Sequence, residues 1–156
     1  MIKNGQDLNL PSPLAEGTVI ATGGGESGFK SIFHIVLKRY KKTGGHTLDK
    51  ISEIITKILE MANEMGLKSI VIPPIGSGVL KTPISVCATA IQNGIVQFLS
   101  ELDGVDPLIK KINLCIFDPK LLEEFKTSWK NSMDMEEEKE YNESDESDDE
   151  YAKAHK

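Results

Sequence analysis

One stretch of the chain combines residue types and spacing that suggest ligand chemistry: a glycine-containing loop over residues 73–82. In this glycine loop, Gly76 and Gly78 flank Ser77, and Pro83 follows at a position that favours a helix start. Glycines let backbone N–H groups turn inward and approach a ligand closely, and a helix N-terminus adds a partial positive charge. The pattern therefore indicates a binding site for a diphosphate.

The glycines of this loop also have a simpler explanation. A plain strand-to-helix turn would account for Gly76 and Gly78 about as well as a ligand would. The loop is not a Walker A motif, because it lacks the GK[ST] ending, and it is not the six-residue dinucleotide fingerprint. The residues alone leave both interpretations open.

The cysteines and histidines form no recognisable reactive or metal-binding motif. Cys87 and Cys115 lie in apolar patterns without CxxC spacing, so we expect reduced, buried thiols. His34, His46 and His155 have no ligand spacing, and we expect His34, inside an apolar run, to be a packed core histidine. We therefore assign no catalytic residue and expect no metal site or cofactor.

The elements that must position the glycine loop alternate along the chain. Strands are predicted from short runs of β-branched and apolar residues at Thr18–Thr22, Ser31–Leu37, Lys68–Pro73 and Ile112–Phe117. The second run is almost continuously apolar, which predicts a strand covered on both faces. Because helical patterns separate the later strands, we expect an α/β fold with parallel pairings.

Three helices follow from periodicity and capping signals. The first runs from Thr47, a candidate cap, to a stop at Gly66, with an apolar stripe of Leu48, Ile51, Ile54, Ile55, Ile58, Leu59, Ala62 and Met65. The second spans about Pro83 to Leu102, with Thr82 as the expected cap and with Ile84, Val86, Cys87, Ala90, Ile91, Ile95 and Leu99 inside. The third begins at Asp118-Pro119, and its inner stripe is Leu121, Leu122, Phe125 and Trp129.

The charges of the chain are distributed unevenly. Of 156 residues, 18 are Lys or Arg and 24 are Asp or Glu, but residues 131–156 alone hold 11 acidic and 3 basic side chains. We expect this segment to be a disordered acidic tail whose main effect is to keep the chain in solution. The alternatives are that it binds a basic protein partner or is phosphorylated at Ser147. Residues 1–16 read as an irregular lead-in, which leaves residues 17–130 as the folded domain.

The folded part has no strong charge or membrane signature. Residues 1–130 carry a net charge of +2, so a uniformly acidic globule and an obvious nucleic-acid binder are both excluded. The basic segment Lys38–Lys42 favours a solvated loop over a phosphate or nucleic-acid site. The longest apolar run is too short to span a bilayer, so we expect no membrane association and a location in the nucleus, the cytoplasm or both.

Several runs of the sequence resemble macro domains, and most closely those of the poly(ADP-ribose) polymerase family. The run GLKSIVIPPIGSGVLKTPISVCATAI resembles the family's strand, P-x-x-G-T/S-G loop and following helix. GTVIATGGG followed by FKSIFHIV resembles its paired strands, and INLCIFD resembles its last strand. The resemblance extends from about Gly17 to Trp129 and implies a three-layer α/β/α sandwich that binds ADP-ribose, free or attached to proteins.

The resemblance also implies which residues contact the ligand. Gly76, Ser77, Gly78, Val79 and Leu80 match the loop whose backbone amides hold the diphosphate, and Ile75 packs beneath that loop. Phe117 and Asp118 match the end of the last strand, beside the adenosine. For Asp118, capping of the last helix is an equally good explanation.

The chain departs from the family pattern at its beginning. Residues 1–16 do not supply the adenine-binding Asp, the Asn-rich turn or the first glycine loop, so about the first third of the module is expected to be absent. One missing strand would lie between Ser31–Leu37 and Lys68–Pro73, so either those two strands pair directly or the sheet is incomplete.

The leading functional hypothesis is an ADP-ribose recognition module, degenerate at its start, with weak binding at best. The alternatives are an ADP-ribosyl hydrolase or a transferase-linked enzyme fragment, and a ligand-silent interaction module that acts through its acidic tail. Of these, binding without catalysis is favoured, because hydrolysis in the family relies on the loops that are missing here.

Overall fold

Strands and helices alternate along the computed structural model of the chain, which describes residues 13–42 and 47–133. The strands are β1 (Val19–Gly23), β2 (Ser31–Ile35), β3 (Ser69–Ile72) and β4 (Lys111–Leu114). The helices are α1 (Thr47–Glu64), α2 (Ile84–Glu101) and α3 (residues 119–133). Within the described residues, these elements agree in number and order with the prediction from sequence.

Part of the predicted organisation lies outside the described residues. This applies to His46 and His155, to most of the expected lead-in, and to the expected acidic tail from residue 134 onwards, including Ser147. At the tail boundary, α3 continues through residues 131–133.

The strands form two separate pairs. β3 and β4 are parallel, with Ser69 opposite Lys111 and Ile72 opposite Leu114, as predicted. β1 and β2, the two strands joined by a short turn, are antiparallel. The short connection of residues 24–30 explains this, because parallel neighbours need a crossover of a dozen or more residues. In the part of the chain that the structure describes, β2 is not hydrogen-bonded to β3.

β2 is covered on one face rather than two. Phe33 and Ile35 pack against the core, whereas Ile32 and His34 on the opposite face are exposed. The prediction of a doubly covered strand and of a core histidine was therefore wrong. Side chains alternate across a strand, and the helices packed against this hairpin lie on one side of it.

α1 begins at Thr47 and its last residue is Glu64, so the predicted stop at Gly66 follows just after the helix. Gly66 has φ +68° and donates its N–H to Asn63 O at 3.0 Å, and Leu67 N–H reaches Ala62 O at 3.0 Å. This is the usual pattern of a glycine-terminated helix. Most of its predicted apolar stripe is buried, but Leu48 is only partly buried and Met65 is about half exposed. On α2, Val86 and Ile95 are partly buried and Leu99 is about half exposed.

The centre of the core is the contact between α1 and α2, where the two backbones approach closely. A Cβ atom built on Gly94 would lie 2.6 Å from Ile55 Cβ and 2.7 Å from Ser52 O. Thr56 Oγ1 donates to Gly94 O at 3.1 Å. A glycine in the middle of α2 is therefore explained by helix packing.

α3 covers the same core with its aromatic residues. Phe125 is buried and stacks on Trp129 with ring centroids 5.8 Å apart. Leu121 and Trp129 are partly buried against the core, which confirms the predicted inner stripe for these two residues and Phe125. Leu122, the fourth predicted member, is half-buried and is not part of the core. None of the described helices combines the length and apolar character needed to cross a membrane.

Candidate ligand-binding site

The glycine loop connects the carboxyl end of β3 to the start of α2, as predicted. Ile75 at its beginning is only 7% exposed and belongs to the core. Cys87, one turn into α2, donates its thiol to Ile75 O at 3.1 Å. The base of the loop is therefore attached both to the core and to the helix that follows.

Internal hydrogen bonds fold the loop into two successive turns. Ser77 donates to Pro74 O through its N–H at 3.2 Å and through its hydroxyl at 2.8 Å. Thr82 N–H donates to Gly76 O at 3.0 Å. Gly76 has φ +79°, and a Cβ atom there would lie 2.6 Å from Thr82 Oγ1. A glycine is therefore required at this position by the turn itself.

The tip of the loop presents unpaired backbone donors. Among the described residues, the N–H groups of Gly78, Val79 and Leu80 donate no hydrogen bond to another protein atom. Val79 is 88% exposed, and a Cβ atom on Gly78 would meet nothing within 4 Å. Because exposed backbone N–H groups at a loop tip bind anions, this tip can accept a phosphate group.

The start of α2 differs in detail from the prediction. The N-cap is Pro83, with ψ 143° and no side-chain cap hydrogen bond, and not Thr82. The extended ψ of Pro83 makes Ile84 the first helical residue, while Thr82 is buried against Gly76. Because no side-chain cap hydrogen bond is formed at Pro83, the N–H groups of the first turn have no capping partner at the positive end of the helix, directly after the loop.

The second predicted part of the site lies at the same edge of the sheet. β4 runs parallel to β3, and Cys115 N–H donates to Ile72 O at 2.9 Å, so both strands end side by side. Phe117 is 99% exposed. Asp118 Oδ1 accepts hydrogen bonds from Lys120 N–H at 2.8 Å and Leu121 N–H at 3.4 Å, which confirms that Asp118 caps α3.

Comparison with known proteins identifies the family of this fold and site. The Macro domain family model matches residues 3–91, which include the glycine loop and both strands of the β1–β2 hairpin. The chain belongs to the macro domain family. The match begins inside the stretch that the sequence predicts as an irregular lead-in, and it ends within α2.

Relatives of this macro domain come from archaea and from humans. It is 30% identical to an uncharacterized protein of Saccharolobus solfataricus over 116 residues, which are 74% of this chain and 60% of the relative. It is 28% identical to the protein mono-ADP-ribosyltransferase PARP14 of Homo sapiens over 85 residues, which are 54% of this chain and 5% of that protein. This macro domain spans about three fifths of the length of the archaeal relatives that it matches.

Solved structures confirm the α/β fold of macro-domain type. A macrodomain of Oceanobacillus iheyensis solved with ADP is 24% identical, with a TM-score of 0.64 over 80% of this chain and 61% of that chain. A macrodomain of Trypanosoma brucei in complex with ADP-ribose is 18% identical, with a TM-score of 0.59 over 77% of this chain and 47% of that chain.

A basic segment lies beside the glycine loop of this macro domain, and sequence reasoning missed this placement. Tyr40 N–H donates to Leu80 O at 2.9 Å, which holds residues 38–42 against the end of the loop. Lys38 donates its backbone N–H to Glu16 Oε1 at 3.1 Å, and its Nζ forms an ion pair with Glu16 Oε2 at 3.2 Å. These contacts lower the pKa of Glu16. The local sequence carries no signal for a contact between residues 40 positions apart.

Two other side chains of the macro domain differ from prediction. His34 Nε2 lies 2.9 Å from Thr22 Oγ1 on the exposed face of the β1–β2 hairpin. Cys115 is exposed, so the expectation that both thiols are buried is confirmed only for Cys87. Burial raises the pKa of Cys87 to about 11, so this thiol is protonated and poorly nucleophilic at neutral pH.

Proposed function

We propose that this macro domain is an ADP-ribose recognition module in which the glycine loop binds the diphosphate. The observation that carries the proposal is the set of unpaired N–H groups at Gly78, Val79 and Leu80, directly before the N-terminus of α2. A diphosphate carries two negative charges and several acceptor oxygens, which suit successive backbone donors and a helix end. No side-chain catalyst is needed for binding of this kind.

Two further observations support the proposal. Related macro domains have been solved with ADP and with ADP-ribose, which share the diphosphate and adenosine. Phe117, at the same sheet edge as the loop, is 99% exposed and offers an aromatic surface on which adenosine could stack. In this arrangement Asp118 positions Phe117 by capping α3.

The proposal covers recognition and not catalysis. The likeness to PARP14 involves 5% of that protein, so its transferase activity is not carried over to this chain. Recognition would extend to ADP-ribose attached to proteins, because an exposed loop can be reached by a large ligand. The nuclear or cytoplasmic location stays a prediction.

Isothermal titration calorimetry with ADP-ribose tests the proposal, with Gly78→Glu as the test variant. A glutamate at Gly78 has room in the folded chain and places a negative charge among the unpaired N–H groups. We expect an affinity at least about tenfold lower, because like charges repel at this short range.

Gly23→Glu is the matched control for this variant. Gly23 also has open space at its Cβ position and no positive φ. It lies opposite Ser31 at the start of β2, whereas the contact with the glycine loop is made by Tyr40, beyond the end of β2. The control should bind ADP-ribose like the unmodified chain, and both variants should keep its thermal unfolding midpoint. Equal affinity in Gly78→Glu and the unmodified chain would disprove the proposed site.

A further inference from the structure

Four cationic residues belong to the two segments that meet at the end of the glycine loop. Arg39, Lys41 and Lys42 belong to the segment that the Tyr40 N–H to Leu80 O bond holds against the loop, and Lys81 is part of the loop itself. All four are exposed, and within residues 13–42 and 47–133 none of them forms an ion pair. We call these four residues the basic surface.

The same chain carries a segment of opposite charge. Residues 134–156 contain 11 carboxylate side chains and 3 lysines, whereas residues 1–130 have a net charge of +2. The basic surface is therefore a local concentration of positive charge in a domain that is otherwise nearly neutral. Charge complementarity favours contact between the two.

The fold places the start of the acidic segment near the basic surface. Ser132, at the end of the described part of α3, lies with its hydroxyl 2.9 Å from that of Thr89 on α2. Thr89 is about 7.5 Å along the helix axis from Ile84, at a rise of 1.5 Å per residue. Leu80 is four residues before Ile84, which adds at most about 14 Å.

These distances let the acidic segment reach the basic surface. An extended chain covers roughly 3.3 Å per residue, so eight residues span about 26 Å. Residues 134–141 are therefore long enough to bridge the gap, and the carboxylates from Glu143 to Glu150 follow them. Attachment within one chain also gives the segment an effective concentration of about 1 mM at the basic surface. Contact within the chain is therefore favoured over contact with the acidic segment of a second copy.

We propose that the acidic tail, residues 134–156, binds the basic surface of its own chain and thereby competes with anions at the glycine loop. The binding itself is independent of the proposed function, and only its effect on ADP-ribose rests on that function. Contact beside the unpaired N–H groups would lower the local positive potential that attracts a phosphate. Phosphorylation of the tail would strengthen the contact, since it adds negative charge.

The test compares full-length variants by NMR without any ligand. The tail variant carries Asp145→Asn, Glu146→Gln, Asp148→Asn and Asp149→Asn. We expect the amide signals of residues 39–42 and 79–82 to shift relative to the unmodified chain, and the difference to disappear at about 1 M salt, where the Debye length is about 3 Å. Unchanged signals at low salt would overturn the proposal.

A control variant with the same net charge separates specific contact from a general charge effect. It neutralises four exposed carboxylates elsewhere, through Asp103→Asn, Asp106→Asn, Glu123→Gln and Glu124→Gln. This variant should keep the signals of residues 39–42 where they are in the unmodified chain. Shifts that depend on protein concentration would place the tail on a second copy and would also overturn the proposal.

Titration with inorganic pyrophosphate and with ADP-ribose then measures the competition. We expect the tail variant to bind both at least about threefold more tightly at low salt, with the difference lost at high salt. If the signals shift but ADP-ribose does not bind, the tail contact is supported and the proposed function is disproved. If ADP-ribose binds but the signals do not shift, the proposed function is supported and the tail contact is disproved.

Discussion

The two glycines of the glycine loop have different tasks. Gly76 is required for folding, since its φ of +79° and the 2.6 Å approach to Thr82 Oγ1 leave no room for a side chain. Gly78 has open space and an unpaired N–H group. The residues alone left the turn and the ligand explanation open for both glycines. The structure shows that the turn requires Gly76, whereas no turn contact accounts for Gly78.

Burial of Cys87 makes the stability of the folded chain depend on pH in the alkaline range. Its pKa is raised to about 11 by burial, so the native state holds this proton more tightly than the unfolded state, whose thiol has a pKa near 8.5. Stability should therefore fall as the pH rises from about 9 to about 11. Urea unfolding at both ends of this range should show a smaller loss for Cys87→Ala than for the unmodified chain.

The control for this measurement is Cys115→Ala. Cys115 is exposed in the folded chain, so its removal should leave the slope of stability against pH unchanged. If Cys87→Ala and the unmodified chain lost the same stability over the range, buried Cys87 would not be the cause.

Single residues also show where local patterns mislead. His34 and Cys115 both lie in apolar runs, which is why they were expected to be buried, yet both are exposed. An apolar run shows that a segment is strand-like, but it does not show how many of its faces are covered.

At the scale of elements, the contact between α1 and α2 determines the core. Among the described residues, the six largest fully buried side chains all come from these two helices, namely Ile51, Ile54, Ile55, Leu59, Ile91 and Cys87. Gly94 permits the close approach, and the Thr56 hydroxyl donates to its carbonyl. The apolar periodicity predicted both helices, but the need for Gly94 depends on the partner helix.

Gly94→Ala should therefore destabilise the chain by about 3 kcal/mol, because the added methyl group would overlap Ile55 and push the helices apart. Denaturant unfolding measures the change. Gly23→Ala is the matched control, since its Cβ position is open, and it should change stability by less than about 1 kcal/mol. If the Gly94→Ala chain were as stable as the control, α1 and α2 could move slightly apart without a loss in the free energy of unfolding.

At the scale of the whole molecule, the two strand pairs differ in how firmly they are held. No residue of β1 or β2 is buried, whereas β3 buries Ile70 and Ile72 and each of α1 and α2 buries eight residues. An isolated two-stranded hairpin is marginally stable in water. Local opening of β1–β2 should therefore need less free energy than opening of the helices.

Hydrogen exchange followed by NMR or mass spectrometry measures this difference. We expect hydrogen-bonded amides of β1 and β2 to exchange at least about tenfold faster than amides in the middle of α2. The β3–β4 pair serves as an internal reference, since it is also two-stranded but packed on the core. The exchange rates of its amides should lie between those of β1–β2 and those of α2. Equal protection throughout would mean that β1–β2 opens only with the whole domain.

The sequence by itself determined the elements, the position of the glycine loop, the family resemblance and the separation of charge between domain and tail. These follow from local rules: periodicity, caps such as Asp118, the glycine stop at Gly66, and composition. Only the tertiary structure decided which faces are covered and that Tyr40 holds a basic segment beside Leu80. The physical reason is that such contacts join residues far apart in the chain, and their free energy depends on both partners at once.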